Sequence, residues 1–357
     1  MQLMHTASVA VIGASGYSGI EATRILAHHP RVELRLLASD RWSGDTLARR
    51  VGLSGSAGAL KYTAIAGCEK AASECDAIVL ATPAEVSLDL VPKLTSSSQP
   101  RVVDLSGAFR LKDAATYPTF YGFDHRHPQL LESAVYGLPE LFREDIPGAH
   151  LIANPGCYPT GAALAICPLL RAGHLDASAL IIDAASGTTG AGRRSNEEMS
   201  FGEVDEDFRA YKVLRHQHTP EIFQSLSRCA SRKVLLTFTA HLLPVRRGIL
   251  TTAYATLAKG RDPAEVFSAL KQFYRAERFV EVLDSPEEVT LKSVVGTNRC
   301  AIGMAWDRTG LDPGRLVIVS AIDNLVKGAA GQAVQNLNIA MGWDEGDGLS
   351  SLRGSYP

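Results

Sequence analysis

Cys157 stands in the run Asn154-Pro155-Gly156-Cys157-Tyr158-Pro159-Thr160, between an apolar stretch and a segment of helical periodicity. Proline and glycine favour a sharp turn and leave the backbone open beside the sulfur. A thiol in the first turn of a helix is drawn toward thiolate by the dipole end. The same N–H groups would hold a developing oxyanion. This is equipment for nucleophilic attack on an acyl group. The bland alternative is a buried cysteine in a tight strand-to-helix turn. The other cysteines, at 68, 75, 167, 229 and 300, form no C-x-x-C pair with each other or with Cys157. Their spacing gives neither a disulfide framework nor a zinc site, so they read as small buried apolar residues and no metal is expected.

Acyl chemistry at a thiol needs a proton carrier. His216-Gln217-His218-Thr219-Pro220-Glu221-Ile222 offers two histidines at i and i+2. An extended segment would point both rings to one side, and imidazole suits proton transfer near neutral pH. Thr219 is expected as the N-cap of a following helix, with Pro220 at its first position. The alternatives are a metal pair, which lacks an obvious third ligand, or ordinary surface histidines. His218 is favoured as the base and His216 as support or substrate contact, but the sequence does not separate them.

An acyl phosphate needs cations. Arg110 follows the strand-like run before Asp104-Leu105-Ser106-Gly107-Ala108-Phe109-Arg110, and strand ends bind ligands in open α/β sheets. Arg193 and Arg194 follow a loop of small residues, 186–192. Either site would take phosphate or carboxylate, against the alternative of surface ion pairs. Asn154 and Gln217, inside the two motifs above, join Arg110 and Arg193 as candidate substrate contacts.

Gly13-Ala14-Ser15-Gly16-Tyr17-Ser18-Gly19 has the spacing G-x-x-G-x-x-G, a variant of the dinucleotide fingerprint. Absent side chains let the backbone approach a pyrophosphate, and the helix that follows offers N–H groups and a positive dipole end. A glycine-rich turn without a ligand is the alternative. The second strand ends in Ser39-Asp40-Arg41. Arg41 and Ser39 would bind a 2′-phosphate, favouring NADP. Asp40 would accept from a free 2′-hydroxyl, favouring NAD. The reading leans to NADP, because Arg41 is otherwise only a solvated charge. A dinucleotide site and a thiolate together suggest that the thiolate expels phosphate, a thioester forms, and hydride reduces it to an aldehyde.

These residues must be held by a frame. Strand-like runs at 9–12, 32–38, 77–81 and 102–105 alternate with helical periodicity, as at 18–28, which argues for a parallel α/β sheet. Composition shifts near residue 155. Beyond it lie a helix at 160–172 that Pro168 would kink, strands at 180–184, 234–240 and 248–258, and a helix at 263–275. A last helix, 324–341, is rich in alanine and glycine, and the tail after it reads as irregular. With 357 residues, two domains are expected. The formal net charge of −2 suggests no nucleic-acid footprint and no membrane patch. No apolar run is long enough to span a bilayer, the N-terminus lacks a basic leader region, and the cysteine pattern fits a reducing cytoplasm.

The motifs together resemble the N-acetyl-gamma-glutamyl-phosphate reductases, a branch of the aspartate-semialdehyde dehydrogenase-like family. The resemblance runs almost end to end through GASGYSG (13–19), VVDLSGAFRLKD (102–113), AVYGLPEL (134–141), NPGCYPT (154–160), SGTTGAGR (186–193), HQHTPEI (216–222), RRGIL (246–250), GTNRC (296–300) and AIDNLVKGAAGQAVQN (321–336). It implies a Rossmann-type NADP-binding domain, residues 1–156 with 325–357, plus an α/β catalytic and dimerisation domain, 157–324. It implies NADPH-dependent reduction of N-acetylglutamyl 5-phosphate to the semialdehyde in arginine biosynthesis, by a homo-oligomer. Cys157 is then the nucleophile, and Asn324 lies near the nicotinamide. Two departures from the usual pattern are Thr-Thr in SGTTGAGR and Gly in DLSGAFR. A related lysine-pathway reductase, acting on a carrier-linked aminoadipyl phosphate, lacks the NPGCYPT form. Another acyl phosphate, carrier-linked aminoadipyl or aspartyl, is the alternative substrate, and a non-catalytic NADP sensor the alternative class.

Overall fold

The structure is a computed structural model that describes residues 6–96, 100–193 and 197–352. The chain divides into two compact units. One holds the described residues up to Pro155 together with Ala329–Leu352, and the other holds Gly156–Gly328.

The first unit is built on a parallel sheet. Its strands are β1 (Ala7–Ile12), β2 (Val32–Ala38), β3 (Tyr62–Thr63), β4 (Ala77–Leu80), β5 (Arg101–Asp104), β6 (Val135–Tyr136) and β7 (Leu151–Ala153), in the order β3-β2-β1-β4-β5-β7-β6. β1 and β4 are almost wholly buried, which explains their unbroken apolar runs: a parallel sheet is covered on both faces. Helix α1 (Tyr17–Ala27) follows β1 and stops before Pro30; α2 (Ala84–Leu94) follows β4. The four expected strands and the first helix match these elements to within two residues.

The second unit has a mixed sheet. Its strands are β8 (Leu180–Gly187), β9 (Arg209–Tyr211), β10 (Leu236–Leu243), β11 (Ile249–Thr256), β12 (Val280–Val282), β13 (Cys300–Trp306) and β14 (Arg315–Ile322), in the order β12-β13-β14-β11-β8-β10-β9. Helices α3 (Cys157–Arg171), α4 (Thr219–Ala230) and α5 (Pro263–Tyr274) pack with it. α3 is buried nearly all round, as its small and apolar sequence requires. Gly161 lets it approach the sheet closely: Ser320 Oγ donates to the Gly161 carbonyl at 3.0 Å. Pro168 lies within α3, which continues to Arg171. Proline has no N–H to give the Leu164 carbonyl, and the Tyr274 hydroxyl of α5 donates to it instead at 2.6 Å.

The expected helix over 324–341 begins differently. Asn324 and Leu325 form a turn, Val326–Ala330 is a π-helical stretch, and only then does α6 (Gly331–Ala340) run as an α-helix. Asp323 causes the delay. Its carboxylate accepts from the Leu325 and Val326 amides at 2.8 and 3.2 Å, and its carbonyl accepts from Gly328 N at 2.9 Å. That last span of five residues is the π pattern, which is often found at functional sites.

Candidate active site

In the first unit, the glycine loop joins β1 to α1. Gly13 has φ +84, and a Cβ there would lie 2.4 Å from the Ala81 carbonyl oxygen, so only glycine fits without strain. A Cβ on Gly19 would meet the Gly13 carbonyl at 2.3 Å. Gly16 is different: a Cβ there would meet nothing nearer than the Gly13 carbonyl oxygen at 3.5 Å, and it is the N-cap of α1. Ser15, Gly16, Tyr17 and Ser18 are all partly exposed, while Gly19 is buried. The amides of Ser18 and Gly19 lie in the first turn, where helix geometry supplies no intrahelical acceptor. The loop is therefore a backbone cradle at a helix head, the arrangement that takes a pyrophosphate.

Ser39 and Gln332 are among the buried polar side chains of this unit that lack hydrogen-bond partners. Ser39, at the end of β2, is 1% exposed and its Oγ makes no hydrogen bond. Gln332 on α6 is fully buried with neither amide atom bonded. Such groups are costly unless a ligand completes them. Asp40 spends Oδ1 on the Ile65 amide at 2.8 Å, whereas Arg41 is exposed. These residues fit a dinucleotide, and the Ser39–Arg41 pair fits its 2′-phosphate better than Asp40 fits a free hydroxyl. The expectations had not included Gln332; two glycines and an alanine run ahead of it offer no polar signal.

Arg110 and Asn154 turn out to serve the chain itself. Arg110 is 6% exposed, and its guanidinium donates to the carbonyls of Asn154 at 2.7 Å and Leu105 at 2.6 Å. Asn154 is fully buried, gives its amide to the Ala329 carbonyl at 3.2 Å, and accepts from Asn336 at 3.0 Å. Both brace the turn before the cysteine. The same signature, a strong donor near a strand end, suits either use. Asp104, fully buried, accepts from Ser87, Ser106 N and Ser106 Oγ at 2.7–3.0 Å. Burial pushes its pKa up, against those hydrogen bonds and the Arg110 charge. The Gly107 departure has a packing counterpart: a Cβ there would lie 2.1 Å from the Tyr121 ring.

In the second unit, Cys157 is the first residue of α3, with Gly156 as N-cap. Of the six cysteines it alone is not buried. Glu221 Oε1 accepts from the Gly156 amide at 2.8 Å, although the Glu221 side chain is fully buried. Tyr158 packs edge-on against His216 and His218, with ring centroids 5.3 and 5.8 Å away. Its hydroxyl hydrogen-bonds Tyr211 at 2.9 Å. Burial raises the pKa of both phenols, that of Tyr211 to about 12. The histidine segment is thus tied to the residues on either side of Cys157.

That segment is a turn, where an extended run was expected. The His218 amide donates to His216 Nδ1 at 3.1 Å, which closes the turn and still leaves the rings 5.0 Å apart. The N-cap of α4 is His218, one residue earlier than expected; Thr219 is already helical and makes no side-chain cap. Burial, then the Lys212 charge, lowers the His216 pKa from 6.5 to about 4. His216 is therefore neutral near pH 7, with Nδ1 accepting and the hydrogen on Nε2. Glu221 was overlooked as a site residue, although it ends the Thr-Pro-Glu triplet of a helix start, where carboxylates are common.

Asn324 also has an internal role. Its Oδ1 accepts from the Gly248 amide at 2.8 Å and its Nδ2 donates to Thr189 Oγ1 at 2.9 Å. Thr189 Oγ1 in turn donates to the Arg246 carbonyl at 2.6 Å, which gives the second threonine of the Thr-Thr departure a structural task. Asp323, fully buried, binds Arg247 at 3.0 Å and accepts from the Gly296 amide at 2.7 Å. The 186–193, 246–250, 296–300 and 321–336 motifs converge on these two residues. Arg193 is exposed and Gln217 partly so, and Arg194 lies outside the described residues. Tyr211, Lys212 and Arg215 line an open cleft. Among the described residues no group of three or more histidine, cysteine or acidic side chains is placed to hold a metal, and no helix is long and apolar enough to cross a membrane.

A parallel sheet with a glycine cradle, and a separate unit with a cysteine heading a buried helix, suit a dinucleotide-dependent oxidoreductase. The family model for the semialdehyde dehydrogenase NAD binding domain matches residues 8–149, and that for the semialdehyde dehydrogenase dimerisation domain matches 157–324. An N-acetyl-gamma-glutamyl-phosphate reductase of Magnetococcus marinus is 45% identical over 97% of this chain and 98% of its own length. One of Symbiobacterium thermophilum is 43% identical over 99% and 100%. Aspartate semialdehyde dehydrogenase II of Vibrio cholerae has the same fold, with a TM-score of 0.73 at 16% identity over 94% of this chain and 99% of that one. The chain belongs to the semialdehyde dehydrogenase family, in its N-acetyl-gamma-glutamyl-phosphate reductase branch.

Proposed function

We propose that this protein reduces N-acetylglutamyl 5-phosphate to N-acetylglutamate 5-semialdehyde, releasing phosphate and consuming NADPH, as a step of arginine biosynthesis. The observation that carries the reading is the accessible Cys157 at the head of α3, tied on either side to the histidine segment. The Cys157 sulfur attacks the acyl carbon, phosphate leaves, and a thioester forms. Pro159 has no N–H and the Thr160 amide is spent on Gly156 O at 3.0 Å, so oxyanion donors come from the very head of the helix. A nicotinamide dinucleotide, when bound, would supply the hydride that reduces the thioester. The resulting hemithioacetal collapses to the aldehyde, and the thiolate departs. His218 or neutral His216 moves the proton, and Gln217 contacts substrate. Arg193 and Lys212, whose charge is felt at His216, are the cations proposed to meet the anionic substrate.

The dinucleotide lies on the loop Gly13–Gly19, with Ser39 and Arg41 on the 2′-phosphate and Gln332 as a further contact. Assembly as a dimer or tetramer would use the open face of the second sheet, where Ile181 and Tyr254 pair across β8 and β11 at 46% and 37% exposure. A reducing cytoplasm suits six cysteines with no disulfide among them.

The test runs the reaction backwards. Protein is mixed with N-acetylglutamate semialdehyde, phosphate and NADP, and nicotinamide absorbance is followed beside the Cys157→Ser variant. Phosphate-dependent reduction that vanishes in the variant is expected. Turnover only with aspartate or aminoadipate semialdehyde would move the substrate and keep the mechanism. Tight NADP binding with no turnover of any semialdehyde would overturn the enzyme reading in favour of a sensor.

A further inference from the structure

Cys167 and Cys229 meet across the packing of α3 against α4, with no part in the chemistry above. Cys167 Sγ lies 3.7 Å from the carbonyl of Ser225, which sits one turn before Cys229 on α4. Arg171, one turn after Cys167 on α3, brings Nη2 to 3.8 Å from Cys229 Sγ. Each sulfur thus lies against a residue one turn from the other cysteine. Cys167 is fully buried and Cys229 is 5% exposed. Burial pushes the Cys167 thiol up, while the neighbouring Cys167 thiol and the Arg171 charge bring the Cys229 thiol down. The two sulfurs are therefore unequal: the Arg171 guanidinium touches the Cys229 sulfur, where it favours thiolate, and the Cys167 sulfur lies deeper. An inert buried cysteine shows neither feature.

We propose that Cys167 and Cys229 are a redox-active dithiol that hydrogen peroxide closes to a disulfide, stapling α3 to α4. The Cys229 thiolate attacks one peroxide oxygen, an S–O bond forms, the O–O bond breaks, and hydroxide leaves as water after taking a proton. The Cys167 sulfur then attacks the sulfenic sulfur, the S–S bond forms, the S–O bond breaks, and a second water carries off the remaining proton. Two thiols and one peroxide give one disulfide and two waters. The pair lies ten residues along each helix from Cys157 and from Thr219, about 15 Å from either head at the usual helical rise. It is thus a modification site separate from the nucleophile.

The test uses the full-length Cys157→Ser protein, which removes the one cysteine that is not buried. After peroxide treatment, intact mass should fall by two hydrogens, and peptide mapping should find Cys167 linked to Cys229. Dithiothreitol should restore the mass. Cys229→Ser and, separately, Cys167→Ala in the same background should abolish the loss, with thermal melts to establish that each is folded. Oxygen added to Cys229 without a link, no mass change, or a link between any other two cysteines would overturn the proposal. Mapping of the Cys157→Ser protein itself decides the matter if a second variant fails to fold.

Discussion

The Gly156 amide and the Glu221 carboxylate are joined by a 2.8 Å hydrogen bond, so the N-cap of one helix is held by the first turn of another. A carboxylate there also faces the positive end of α4's own dipole. Glu221→Ala should leave the Gly156 N–H buried and unpaired, at a cost of about 1–3 kcal/mol. The melting temperature should fall and kcat should drop at least ~10-fold, whereas Glu221→Gln, which keeps an acceptor, should recover most of the stability. Equal melting temperatures for wild type and Glu221→Ala would remove the bond from the account.

Gly328 allows no side chain beside Cys157. A Cβ there would come within 2.7 Å of the Cys157 Cβ and 3.3 Å of the Asp323 carbonyl oxygen. Gly328→Ala should displace Cys157 and lower kcat by roughly 100-fold, since small misplacements at a reacting centre cost that much. NADP affinity, measured by fluorescence titration, should stay within about twofold. Wild-type turnover in Gly328→Ala would mean that the head of α3 has slack.

His216 should make the fold acid-sensitive. Its folded pKa of about 4 lies below the ordinary 6.5. Between those values the unfolded chain binds a proton that the folded chain does not, so stability is fully present above pH 6.5 and is lost as pH falls toward 4. His29 and His125 are also lowered by burial and add to the same slope. His216→Asn should flatten part of it, read from melting temperatures across that range. An unchanged slope would show that His216 is already protonated in the folded protein.

The proposed preference for NADPH assigns the 2′-phosphate to Ser39 and Arg41. Removing one charge-assisted hydrogen bond costs about 1.5–3 kcal/mol, which is roughly 10- to 100-fold in affinity. Arg41→Ala should raise Kd for NADPH by that factor and leave Kd for NADH nearly unchanged. A parallel loss for both cofactors would place Arg41 elsewhere on the nucleotide.

The strands of the first sheet were legible because burial on both faces leaves short apolar runs that nothing else explains. The cysteine turn was legible because proline fixes φ and lacks an N–H, while glycine lets the backbone turn sharply. The directions of Arg110, Asn154 and Asn324 were not. A side chain that binds a ligand and one that binds a neighbouring carbonyl need the same donors, and sequence spacing does not say which is nearer. The 216–218 turn escaped for a related reason: a histidine nitrogen accepting the amide two residues on mimics a turn residue, which periodicity does not register. The π-helical stretch depends on Asp323 gathering amides from residues far apart in the chain, beyond the reach of local propensity.

The chain passes between the units at Pro155/Gly156 and again at Gly328/Ala329. On the first unit's side the two crossings are clasped by the Asn154–Ala329 hydrogen bond, and on the other side Gly328 lies against Cys157. The second unit is thus an insertion whose two ends meet. To the parallel sheet it is a loop already closed, so its many residues add little closure entropy when β7 and α6 come together. An insert of this kind can lengthen, shorten or exchange its outer loops without disturbing the host, and the host can change its nucleotide preference without rebuilding the insert.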